Sequence, residues 1–126
     1  MQYTPDNRLK PVVLVVEDQY IVRMHTVELI EDAGYEVIEA TDADEAIAIL
    51  ETRKDIRIVF TDIEMPGSMD GLKLAHAIRH RWPPVELILT SGRHRLEAHQ
   101  IPVRGRFLPK PFNADVLIAA IREFSS

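Results

Sequence analysis

Hydrophobic and polar positions along the chain fall into two alternating rhythms, short apolar runs and longer stretches with helical spacing. Residues 11–16 read Pro-Val-Val-Leu-Val-Val, continuous rather than alternating, as a strand covered on both faces should be. Residues 19–33 then carry Val22, Leu29 and Ala33, with Ile21 and Met24, at three-to-four spacing, and Gly34 is a natural helix stop. Residues 35–39 alternate like a less buried strand. Asp42, followed three residues on by Glu45, predicts a capped helix through Ile47 and Leu50 to a charged end at 51–54. Residues 56–61 form the third predicted strand. Asp70 caps a third helix with Leu72, Leu74, Ala75 and Ile78. It ends in Arg79 and Arg81, which complement the helix's negative end, and Pro83-Pro84 stops it. Residues 87–90 and 106–108 are the last two strands. Asn113 caps a final helix striped by Leu117, Ile121 and Phe124.

Strands alternating with helices over five units imply an α/β fold, a parallel sheet with helices on both faces and right-handed crossovers. One unit breaks the rhythm. Arg93-His94-Arg95-Leu96-Glu97-Ala98-His99-Gln100 offers at most two helical turns before Ile101-Pro102 interrupts it, so the fourth helix is expected to be short or absent.

Composition narrows the field. The 126 residues make one domain, expected over 11–126 after a flexible polar arm at 1–10 that Pro5 breaks. No apolar run approaches the ~20 residues that cross a bilayer, and the start lacks the basic-then-apolar order of a secretion signal. The absence of cysteine excludes thiolate metal sites and suits a cytoplasmic protein. A net charge of −5 argues against whole-surface nucleic-acid binding.

The chemistry gathers at the strand ends. In Val59-Phe60-Thr61-Asp62-Ile63-Glu64-Met65-Pro66-Gly67 an apolar run closes on a carboxylate before a proline-glycine break. Asp62 therefore lies where open parallel sheets place their ligands. The first strand ends in Glu17-Asp18, the fourth in Thr90-Ser91-Gly92, and the fifth in Pro109-Lys110-Pro111. Three carboxylates on one edge repel one another unless a cation neutralises them. Oxygen ligands alone fit Mg²⁺, with Mn²⁺ as a substitute. Lys110 adds an ammonium, and Thr90 or Ser91 a hydroxyl donor. Metal, ammonium and hydroxyl are what phosphoryl transfer to a carboxylate needs.

These residues, Val15-Val16-Glu17-Asp18, Asp62-Ile63-Glu64-Met65-Pro66, Asp70-Gly71, Thr90-Ser91-Gly92 and Leu108-Pro109-Lys110-Pro111-Phe112, resemble the receiver domain of bacterial two-component response regulators from about Pro11 to Phe124. The resemblance implies a flavodoxin-like strand order 2-1-3-4-5 and, as the chain stands, a stand-alone receiver. It implies Asp62 as phosphoacceptor and Glu17 with Asp18 as the metal-holding acidic pair, Asp18 directly and Glu17 through water. Glu64 would lend its backbone carbonyl to the metal, and Lys110 would pair with the phosphoryl group across a cis bond to Pro111. Phe107 would be the aromatic whose burial follows phosphorylation. Both Thr90 and Ser91 fit the switch hydroxyl, with Ser91 favoured because Gly92 is the smaller neighbour. Partners implied are a sensor histidine kinase or histidine phosphotransfer protein and a downstream protein target, without direct nucleic-acid binding or membrane insertion, in a monomer or weak dimer. The domain would catalyse only its own phosphorylation and dephosphorylation.

Two departures from the family pattern stand out. The 65–71 loop is one residue longer than the common form, and loss of the fourth helix puts the usual dimer face in question. Two alternatives stay open: a receiver-like interaction module that no longer phosphorylates, and a Mg²⁺-dependent phosphatase with an aspartyl intermediate. The first usually lacks a site residue, and none is missing here. The second needs a second acid–base group or substrate pocket, and no Asp-x-Asp or phosphate-cradling glycine loop is read in the chain. Arg93, Arg95, Arg104 and Arg106, with Glu97 the only acid nearby, read equally as a solvated loop or as a patch for an acidic partner. His76 and His80 have zinc-compatible spacing but no third ligand. His94 and His99 read as exposed histidines, Trp82 as a helix-end plug, and Met24, Met65 and Met69 as unrelated positions. Glu17-Asp18 also fits a cap for the first helix.

Overall fold

The computed structural model describes residues 11–125, and the expected arm at 1–10 lies outside them. Five strands form one parallel sheet in the order β2-β1-β3-β4-β5, the order the resemblance implies. They are β1 (Val12–Val16), β2 (Glu36–Ala40), β3 (Ile56–Asp62), β4 (Glu86–Ser91) and β5 (Gly105–Pro109). The helices are α1 (Tyr20–Asp32), α2 (Ala43–Thr52), α3 (Gly71–Arg81) and α4 (Ala114–Ser125).

The continuous apolar runs sit in the middle of the sheet because both of its faces are covered. Val13 and Val15 point to one side, where Val27 and Ile30 of α1 meet Leu117 and Ile121 of α4. Leu14 and Val16 point to the other, against Leu50 of α2 and Leu74 and Ile78 of α3. The edge strands β2 and β5 are only partly buried, so neither is the continuous apolar run found in the middle of the sheet.

Three helices begin on the caps the sequence advertises. Asp42 accepts the Glu45 N–H at 2.8 Å, while Glu45 reaches back to the Thr41 N–H at 2.6 Å. Asp70 accepts from Lys73 N at 2.9 Å, and Asn113 from Val116 N at 2.9 Å. Helix α1 differs. It starts from Gln19 without a side-chain cap, and Glu17 takes the Gln19 N–H at 3.0 Å instead. The capping alternative for Glu17-Asp18 is thereby corrected: Glu17 braces the turn before the helix, and neither residue is its cap.

Between β4 and β5 the chain makes one 3₁₀ turn, Ala98–Gln100, in place of a full helix. Side chains from α3 hold this segment. His76 Nε2 lies 3.0 Å from the Gln100 carbonyl, and Arg79 donates to the carbonyls of Val103, Pro83 and Val85, each at 2.7 Å. His76 is thus engaged with the backbone rather than with His80. Arg104, at φ 60°, reaches Glu86 at 3.0 Å and the Pro84 carbonyl at 3.2 Å.

Candidate functional site

Parallel register aligns the strand ends. Val16 lies beside Thr61, Asp62 beside Thr90, and Ser91 beside Pro109. The loops that follow β1, β3, β4 and β5 therefore open on one edge, and the expected site residues come from all four.

Asp62 is 5% exposed at the last position of β3. Lys110 Nζ donates to its Oδ2 at 2.9 Å, and the Glu64 N–H donates to its Oδ1 at 3.1 Å. Glu17, 3% exposed, neighbours the same carboxyl group. Burial pushes the Glu17 carboxyl up to about 7; the Gln19 N–H pulls against this, the Asp62 charge adds to it, and Lys110 opposes it. Arg23 donates to the Glu17 carbonyl at 2.8 Å and to Glu39 at 2.9 Å, fixing the strand end. Asp18 is half-buried next to Glu17. One ammonium thus faces two neighbouring buried carboxyl groups, with Asp18 next in the chain to one of them.

Gly71 presses on the same point from α3. A Cβ there would fall 2.0 Å from the Asp62 carbonyl oxygen, and the Gly71 N–H donates to Ile63 O at 2.9 Å. Only glycine permits this approach.

The two candidate hydroxyls have different surroundings. Thr90 follows Ile88 on the α1/α4 side of the sheet, and its Oγ1 donates to the Leu108 carbonyl at 2.7 Å. Ser91 follows Leu89 on the α2/α3 side, the side on which half-buried Phe107 packs. Ser91 Oγ donates to Glu64 Oε2 in a short hydrogen bond and accepts from Arg93 N at 3.1 Å and His94 N at 2.8 Å. His94 Nδ1 lies 2.6 Å from the same Glu64 oxygen. Burial alone would raise the Glu64 carboxyl, but hydrogen bonds from Ser91, His94 and the Gly92 N–H hold it below the usual range.

From sequence, Glu64 is expected to contribute only its backbone carbonyl and His94 to be an exposed histidine; the structure instead joins their side chains at Ser91. The signal available was slight: a histidine three residues after the candidate switch. The Lys110–Pro111 bond is cis, and Phe112 meets Phe60 edge-on with ring centroids 6.0 Å apart. The arginine stretch divides, for Arg104 pairs with Glu86 and Arg106 with Glu123, while Arg93 and Arg95 are exposed. An Asp-x-Asp does occur, at Asp42-Ala43-Asp44, but Asp42 caps α2 and Asp44 accepts from Ser68 at 2.7 Å, so neither is free as a second acid–base group.

The donor set tests whether a metal suits this edge. Among the described residues no three His, Cys, Asp or Glu side chains form a ready metal cage. Mg²⁺ does not need one, since it takes one or two carboxylates and keeps its waters. Neighbouring buried carboxyl groups with too little positive charge fit such an ion. Among the described residues no helix is long and apolar enough to cross a membrane.

Comparison with known proteins agrees with this geometry. The family described as "Response regulator receiver domain" matches residues 13–122. The nitrogen assimilation regulatory protein NtrX of Azorhizobium caulinodans is 36% identical over 110 residues, which is 84% of this chain and 24% of that relative. The chain thus spans about a quarter of that protein's length. A response regulator receiver protein from Sinorhizobium medicae has a solved structure with a TM-score of 0.85 and 27% identity, covering 92% of this chain and 94% of that one. The response regulator TrrA from Thermotoga maritima, solved in complex with Mg²⁺ and BeF, gives a TM-score of 0.77 at 28% identity over 90% of this chain and 98% of that one. Receiver domains are signalling phosphoacceptors that work with sensor kinases and downstream targets, generally not classical enzymes. The chain belongs to the response regulator receiver domain family, and its function is that of a phosphoacceptor in two-component signalling.

Proposed function

We propose that Asp62 is the phosphoacceptor and takes the phosphoryl group from a kinase or phosphotransfer phosphohistidine. The observation that carries this is the buried Asp62 carboxylate at the end of β3, bonded to Lys110 at 2.9 Å and flanked by Glu17. An Asp62 oxygen attacks phosphorus, the P–N bond to the donor imidazole breaks, and the imidazole leaves with a proton. Lys110 steadies the phosphoryl oxygens as the bond forms. Asp18, Asp62 and the Glu64 carbonyl, with Glu17 through water, are the groups that would hold Mg²⁺, or Mn²⁺ in its place. Bound there, the ion neutralises charge on the phosphoryl oxygens.

Ser91 is the switch hydroxyl in this reading and Phe107 its follower, because they share one face of the sheet. Thr90 lies on the opposite face and satisfies a backbone carbonyl. The phosphoryl group draws Ser91 inward and shifts an existing equilibrium between two conformations. The donor docks over the start of α1, where Tyr20, Ile21 and Met24 are 62%, 68% and 38% exposed. A groove of about 760 Å³ lies beside them, between Val22, Leu29, Lys110 and Phe112. The domain acts in the cytoplasm as a monomer or weak dimer. It catalyses only its own phosphorylation and dephosphorylation and reads out through a protein target, not nucleic acid.

The test is incubation with Mg²⁺ and a small acyl phosphate, followed by intact mass. A labile phosphoryl adduct is expected on the wild type and none on Asp62→Asn. An undiminished adduct on Asp62→Asn would overturn the assignment.

A further inference from the structure

A switch hydroxyl must be free to move, yet the single donor hydrogen of Ser91 is already committed to Glu64. Its lone pairs hold the N–H groups of Arg93 and His94, and His94 Nδ1 grips the same Glu64 oxygen at 2.6 Å. We propose that Glu64 and His94 form a latch that keeps Ser91 and the loop after it in the unphosphorylated position. This rests on Asp62 as phosphoacceptor and Ser91 as switch, and it gives the Glu64 side chain a task beyond its backbone carbonyl.

The geometry says how the latch opens. Glu64 is two residues from Asp62 and its N–H already touches the Asp62 carboxylate at 3.1 Å. A phosphoryl group on Asp62 replaces the single carboxylate charge by roughly two on its own oxygens, beside an anionic side chain. It repels the Glu64 carboxylate and at the same time attracts the Ser91 donor. When Ser91 turns, the Arg93 and His94 N–H groups lose their acceptor, so residues 92–94 must move with it. One event at Asp62 thus reaches the backbone of the β4–β5 loop through a single hydroxyl. Glu64 and His94 are positioning residues: they act through Ser91 and do not touch the group transferred.

Two measurements test the latch. The first is amide hydrogen exchange in the unphosphorylated protein, which does not depend on any phosphoryl chemistry. Glu64→Ala is expected to speed exchange at Arg93 and His94 about tenfold, the scale of one charge-assisted hydrogen bond, and to leave β1 and β3 unchanged. The second is the rate of adduct formation with an acyl phosphate, expected to rise about tenfold in Glu64→Ala and about threefold in His94→Ala. Glu64→Gln keeps an acceptor without charge and falls between wild type and alanine. His94→Asn, whose amide can donate from the place of Nδ1, restores wild-type behaviour; a merely space-filling histidine would not be rescued this way. Wild-type exchange at residues 93 and 94 in Glu64→Ala overturns the latch, whatever the phosphorylation result. Failure of the Asp62 assignment appears differently, as absence of an adduct from wild type and variants alike.

Discussion

The carboxylate corner of the site, Glu17 with Asp62 and Lys110, and the hydroxyl corner, Ser91 with Glu64 and His94, are held by opposite means. In the first, like charges are buried together and one ammonium is too little to balance them. In the second, Ser91 and Glu64 have their main hydrogen-bonding capacity met by protein. An unbalanced corner is ready to take up a cation and a phosphoryl group; a satisfied one resists change until its partner is altered. On the reading proposed above, the contrast separates capture from release: the first corner would supply affinity and the second set the threshold.

The sharpest way to break the comparison is to remove the charge that makes the first corner unbalanced. Asp62→Asn is expected to abolish the acyl-phosphate adduct, as read by intact mass, with the fold retained in circular dichroism. Lys110→Met comes next. It leaves two buried carboxyl groups without their ammonium, and since Lys110 is 31% exposed the expected loss is about 1–2 kcal/mol by chemical denaturation. Phosphorylation slows in the same variant.

The third prediction concerns pH. The Glu17 carboxyl, pushed up to about 7, binds more protons folded than unfolded between about 4.5 and 7. Stability of chelator-treated protein therefore falls as pH rises through that window, by on the order of 1–3 kcal/mol, and levels off above it. Glu17→Gln should flatten the slope, and Mg²⁺ should bind more tightly as pH rises toward 7 because its ligands must be ionised. A slope unchanged in Glu17→Gln assigns it elsewhere. The smallest effect separates the two hydroxyls. Thr90→Val loses the bond to Leu108 O and costs about 1 kcal/mol in denaturant, with the phosphorylation-dependent change at Phe107 intact. Ser91→Ala loses that change, as followed by aromatic NMR signals, and also costs about 1 kcal/mol, because Glu64 and the Arg93 and His94 N–H groups lose their partner.

The parts of this fold legible in the sequence are those set by local rules. Continuous apolar runs marked β1, β3 and β4 because both sheet faces are covered, and Asp42, Asp70 and Asn113 announced three helix starts through hydrogen bonds made within four residues. The strand ends brought Glu17, Asp62 and Lys110 together because parallel topology leaves little choice. What stayed hidden depended on phase or on distance. Whether Thr90 or Ser91 faces Phe107 turns on a one-residue register, which the run of residues 87–90 does not reveal. His94 sits in a segment with no periodicity, and its partner Glu64 is thirty residues away. The lack of a side-chain cap on α1 was equally invisible, since Glu17 offers cap chemistry and applies it to the turn instead.

The segment from 92 to 104 is anchored very unequally. At its far end Arg79 gathers the carbonyls of Pro83, Val85 and Val103, and Arg104 fastens to Glu86 and Pro84. At its near end it depends on Ser91 and on Glu64, which takes the Gly92 N–H and meets the His94 ring. A strip of chain clamped at one end and pinned at the other is built as a cantilever: releasing the pin would swing the exposed Arg93 and Arg95 through the widest arc, with Val103 and Arg104 held by their contacts to Arg79, Glu86 and Pro84. A receiver with a full helix in this place would have to shift a rigid cylinder. On the latch proposed above, this one would move its charged tip about a root held by the Arg79 guanidinium.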